Sequence, residues 1–158
     1  MMVRPNDEKR HAARIRFGLG GPLTVRYKCL SHLERFRCDQ VFSGGILNLS
    51  KGGMLLVGGL PSPEWLPRLG EGLVLLGLNV LIPSGRPIKA LASLRWARPA
   101  AVDPAQAASL GAGPHYELGV HFEQLDPDQR TALEKFLIGH QLRTRRIRPL
   151  DELGRGSM

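Results

Sequence analysis

Arg10 and Arg14 stand four residues apart in the polar stretch EKRHAARIR, with Arg16 just beyond. A guanidinium is a flat fork of donors that can grip a phosphate in bidentate fashion, read the O6/N7 edge of a guanine, or stack on a base. Further along, NLSKGG (48–53) separates two apolar runs. Asn48 offers an amide carbonyl and Ser50 a hydroxyl, while Gly52 and Gly53 are expected to free the backbone for positive φ and to let a ligand approach closely. An amide oxygen accepts from the N1–H and N2–H edge of guanine, which an arginine cannot do. Taken singly, the arginines are solvated charges on an arm and the turn is an ordinary polar turn. Two such forks on a short arm suit a compact ligand carrying both phosphate and guanine.

Charge points the same way. A formal net charge of +8 and a pI near 10.3 favour an anionic partner: nucleic acid, a nucleotide, a phosphate-bearing small molecule or an acidic membrane surface. The excess sits at the ends: residues 1–37 hold nine Lys/Arg against three Asp/Glu, and Arg143, Arg145, Arg146 and Arg148 cluster near the other terminus. Other chemistry lacks its residues. Cys29 and Cys38 have no CxxC spacing, and the histidines have no ligand-like spacing, so neither a disulfide framework nor a metal site is expected. No nucleophile elbow, P-loop or HExxH occurs, so no enzymatic activity and no cofactor are expected. Without an apolar leader or an 18-residue apolar run, the expectation is a cytoplasmic protein with no membrane insertion.

The elements that must position these residues follow from hydrophobic period. Residues 1–16 are apolar-poor and read as a basic arm outside the core. LTVRYKCL (23–30), two short pieces within 35–50, GMLLVGG (53–59), GLVLLGLNVLI (72–82), PIKALASLRWAR (87–98) and HYELGVHFEQL (115–125) read as strands. Many short strands separated by turns predict a small antiparallel barrel or sandwich over 17–125. Trp96 is expected in its core, between Arg95 and Arg98, either of which is a candidate third guanidinium near the ligand. PSPEWLPR (61–68) reads as a Pro-rich loop, and 99–114 as a surface excursion with little pattern. Asp126, Pro127 and Gln129 form a helix start, and Leu133, Phe136 and Leu137 a helical stripe, predicting a C-terminal helix over 126–142 and an Arg-rich tail over 143–158.

Arg10-x-x-x-Arg14, followed between strands by Asn48-x-Ser50-x-x-Gly53, resembles the PilZ family, whose two motifs are RxxxR and [D/N]xSxxG. The resemblance extends over roughly residues 8 to 140. It implies a mainly β fold, a six-stranded antiparallel PilZ-type β-barrel with a C-terminal α-helix and a basic N-terminal arm. It also implies a bacterial receptor for the second messenger cyclic di-GMP. Arg10 and Arg14 would grip phosphate and guanine, with Asn48, Ser50, Gly52 and Gly53 lining the barrel surface beneath the base. Lys9, the basic residue just before the first motif arginine, would go with an intercalated pair of ligand molecules rather than one. Asn48 stands where the family also allows Asp, and a neutral amide gives up the charge assistance of a carboxylate. The implied partner is an unidentified downstream protein. One alternative is a PilZ-like interaction module with little or no ligand binding. Another is a basic β-barrel that binds RNA or single-stranded DNA, disfavoured because only 6% of the chain is aromatic and no RNP-like cluster occurs.

Overall fold

Alternation along the strands builds the wall of the molecule. The computed structural model describes residues 15–16, 23–83 and 85–156, with the backbone alone at 15–16 and from 144 onward. Its elements are β1 (Ile15–Arg16), β2 (Thr24–Ser31), β3 (Phe42–Leu49), β4 (Gly53–Gly58), α1 (Trp65–Gly70), β5 (Val74–Leu81), β6 (Ile88–Pro99), α2 (Pro104–Leu110), β7 (Tyr116–Gln124) and α3 (Pro127–Gly156). In β2 the residues Val25, Tyr27 and Cys29 are buried while their neighbours face outward, and β5 buries Val74, Leu76, Leu78 and Val80 in the same rhythm. A strand's side chains change face at every residue, so each such run supplies one side of a core and one side of a surface.

Strands β3, β2, β5, β6, β7 and β4 pair in that order, all antiparallel, and β4 returns to pair with β3. The result is a closed six-stranded barrel. Val25, Leu49, Leu56, Leu76, Ala92 and Leu118 fill it without solvent contact. Tyr27 stacks on Phe42 with ring centroids 5.6 Å apart and donates its hydroxyl proton to the Gly59 carbonyl at 2.6 Å. Burial pushes its phenol far above the ordinary range, which keeps it a donor.

Three helices dress the barrel, two of them outside the expected pattern. Within the Pro-rich stretch, α1 packs on β5 and β6 and buries Trp65, which meets Phe36 edge-on at 5.1 Å. Within 99–114, α2 lies against β3; Asp103 caps it by accepting from the Gln106 N–H at 2.9 Å, with Pro104 in the first turn. The third, α3, packs Leu133 and Leu137 onto the barrel and contacts β6. Gln129, expected to cap this helix, instead accepts from the Lys89 N–H at 2.7 Å and fastens the helix start to β6. The helix also runs to Gly156 rather than ending at 142. Arg143 to Arg148 contain neither glycine nor proline; Pro149 follows within the helix, and its missing N–H leaves the Arg145 carbonyl without its helical donor. No helix among the described residues is long and apolar enough to cross a membrane.

Candidate functional site

The turn between β3 and β4 is tight because Ser50 closes it. Its N–H donates to the Gly53 carbonyl at 2.9 Å and its hydroxyl to the same oxygen at 3.3 Å, leaving only Lys51 and Gly52 to span the bend. The Gly52 carbonyl in turn accepts from the Phe122 N–H on β7 at 2.9 Å. The turn is thereby tied to a third strand.

The glycines are there for a different reason from the one expected. Among the described residues, positive φ occurs at Gly72, Gly111 and Gly113, and at neither Gly52 nor Gly53. Gly53 lies instead against β7, where a Cβ would come within 2.1 Å of the Val120 carbonyl oxygen. Any larger residue pushes β4 off β7. Gly52 has nothing within 4 Å of its absent Cβ, so no such constraint acts there.

Asn48 follows a β-bulge, the register with β4 jumping between Ile46 and Asn48. It is half-buried on the barrel's outer side, and among the described residues its amide has no hydrogen-bond partner. On the other edge of β3, Ile15 pairs with Leu49 and Arg16 with Asn48. The chain leaving the arm is therefore laid beside Asn48 two residues after Arg14. Lys9, Arg10 and Arg14 themselves lie outside the described residues.

The row that begins at Asn48 continues round the barrel: Asn48 is opposite Leu55, Leu55 opposite Gly119, and Gly119 opposite Trp96. Trp96, expected in the core, is 41% exposed. A second bulge, between Leu94 and Trp96, makes Arg95 an extra residue in β6, so the alternation skips and Trp96 turns outward while Ala97 packs against the core. Gly119 is its bed, since a Cβ there would come within 2.3 Å of the indole Nε1. The available signal was a glycine in the middle of HYELGVHFEQL, because strand glycines mark close approaches.

The flanking arginines are both engaged. Arg98 donates to Glu117 Oε1 from Nε at 2.9 Å and from Nη2 at 2.7 Å, and its guanidinium lies 5.4 Å from the Trp96 ring centroid. Ser93 donates its hydroxyl proton to Glu123, and Arg95 Nη2 stands 3.4 Å from the same carboxylate. The Ser93 bond first, then the charges of His121 and Arg95, hold Glu123 below the usual carboxylate range. Among the described residues no group of His, Cys, Asp and Glu is placed to hold a metal ion.

An outward face built from an unpartnered amide, a tied turn, an exposed indole and the end of an arginine-bearing arm can take a planar, anionic ligand. The family model for the PilZ domain matches residues 8–139. The chain belongs to the PilZ domain family. Two solved structures share this PilZ fold. MrkH from K. pneumonia, in its c-di-GMP complex, aligns with a TM-score of 0.58 at 18% identity, over 84% of this chain and 52% of MrkH. The PilZ domain of YcgR from Escherichia coli, with c-di-GMP, aligns with a TM-score of 0.53 at 15% identity, over 89% of this chain and 98% of that domain. The PilZ chain thus spans about half the length of MrkH. No curated protein matches it.

Proposed function

We propose that this PilZ protein is a receptor for cyclic di-GMP, held between the arm and the β3–β4 turn. The observation that carries the reading is the pairing of β1 with β3, which lays the residues following Arg14 beside Asn48. Its support is the order of the two motifs, the family match, and the c-di-GMP complexes of MrkH and the YcgR domain. In this reading Arg10 and Arg14 bind phosphate and guanine, and the Asn48 amide oxygen accepts from the guanine N1–H and N2–H edge. The Ser50–Gly53 turn gives the base a flat floor. The Trp96 indole, on the same row, walls the far side. Lys9, just before the first motif arginine, favours an intercalated pair of ligands over a single one.

The ligand acts by fixing the arm against the barrel, which changes the surface offered to a downstream protein. It can shift the arm only by its difference in affinity for the two arm positions. A micromolar site supplies roughly 8 kcal/mol, against about 1–2 kcal/mol for each backbone residue ordered. Isothermal titration calorimetry with cyclic di-GMP, with GTP and linear pGpG as controls, tests the reading. Saturable binding at one or two ligands per protomer, absent with the controls and lost in Arg14→Ala, is the expected result. Silence at high micromolar ligand would leave a PilZ-like protein-interaction module.

A further inference from the structure

A second concave surface lies on the outer face of β2, β5 and β6, on strands the β3–β4 turn does not touch. It is an open groove of about 600 Å³. Lys28, Gly77 and Leu91 face one another across three strands, and the Leu30 side chain lies over Gly77, its Cδ1 3.1 Å from where a Cβ would sit. Neighbouring strands are ~4.8 Å apart, so the backbones at Lys28 and Leu91 stand roughly 10 Å apart with Leu30 between them. One row along, Arg26, Asn79 and Lys89 face one another in the same way.

The lining divides into two chemistries. Leu30 and Val41, at 40% and 58% exposure, are two of the large apolar side chains that the described residues leave in solvent, and both border this groove. Arg26, Lys28 and Lys89 supply three cations, and among the described residues none of their charged groups has an ion pair. Asp126 is the one carboxylate in the lining, at the start of α3, and leaves a local excess of positive charge. Exposed apolar residues beside unpaired cations fit an amphipathic helix better than a small anion. Added-strand docking is not open to a partner here, because β2, β5 and β6 each already pair on both sides.

We propose that this groove is the docking surface for an acidic amphipathic helix of a partner protein, its aliphatic side chains packing on Leu30 and Val41 and its carboxylates reaching Arg26, Lys28 and Lys89. The spacing is compatible: outward residues on a strand recur every ~7 Å, close to the ~6 Å between i and i+4 on a helix. The inference does not depend on cyclic di-GMP binding.

The test uses the full chain and three fluorescent probes in anisotropy titrations. One is a 20-residue helical peptide with a leucine stripe flanked by glutamates, about 30 Å long. The others are its lysine-for-glutamate twin and a single-stranded DNA of about 20 nucleotides. The glutamate peptide is expected to bind saturably. Lys28→Glu and Leu30→Ser should each weaken it by at least about tenfold, with melting temperatures near that of the parent and with Arg14→Ala binding the peptide normally. Equal binding of the two peptides, no binding of the glutamate peptide, or indifference to both substitutions overturns the proposal. So does tighter, Lys28-dependent binding of the DNA, which would make the groove a nucleic-acid surface.

Discussion

Two outward faces of one barrel differ in what holds them together. The face around Asn48, Gly53 and Trp96 is shaped by close backbone contact: two bulges, a turn tied to a third strand, and two glycines on which other groups rest. The face around Gly77 is unbroken in register from Thr24 to Ser31 against β5, with one irregularity at its border, where β6 meets β7 at Leu91 and Ala92, and its character comes mainly from side chains. Changing the glycines of the first face alters the fold as well as any ligand. On the second, charge and shape can be changed while the barrel stays as it is.

Four measurements break or sharpen that contrast. The largest effect is expected from Gly53→Val, whose side chain collides with the Val120 carbonyl. Chemical denaturation should show a loss of more than about 3 kcal/mol, whereas Lys28→Glu should stay within about 0.5 kcal/mol. Equal stabilities would erase the distinction between the faces. Next, Asn48→Ala should weaken cyclic di-GMP by about 1–3 kcal/mol in calorimetry, with little change in the free protein, because the amide has no partner there to lose. A third, Trp96→Ala, should weaken the ligand by about 1–3 kcal/mol if a base stacks on the indole. Unchanged affinity would confine the site to β1, β3 and β4.

The smallest effect concerns the inner side of the groove's own strand. Burial, helped by the nearby Cys38, pushes the Cys29 thiol from 9.0 up to about 12. Its folded pKa is raised, so the protonated thiol's contribution is whole below about pH 9 and declines as pH rises toward about 12. Alkylation at pH 8 followed by mass spectrometry should mark the half-exposed Cys38 and spare Cys29. Rapid labelling of Cys29 would mean that β2 opens, and that the regular face is the looser one.

Strand alternation and the apolar stripe of α3 were legible because each repeats over many residues. The short helices were less so, although α2 starts on Asp103-Pro104-Ala105-Gln106, the same pattern as Asp126-Pro127-Asp128-Gln129 at α3. Only the second leads into a long apolar stripe, and a seven-residue helix has too few turns to show a period. Trp96 escaped because a bulge flips the face of every residue after it without changing residue type. At Gly53 the residue was legible and its reason was not, since the constraint is a carbonyl on a strand far away in sequence. The two motifs were visible as spacing; the contact between β1 and β3 that relates them is a tertiary one.

That contact also has a bearing on solubility. The edge of β3 that faces β2 is hydrogen-bonded only as far as Ile46, whose N–H donates to the Leu23 carbonyl, and β1 covers Asn48 and Leu49 beyond it. A two-residue strand therefore shields the one length of that edge that β2 leaves open. Unpaired strand edges recruit other chains. Deleting residues 1–16 would then do more than remove the arginines: it would give the barrel a sticky border, with self-association rising with concentration in sedimentation experiments.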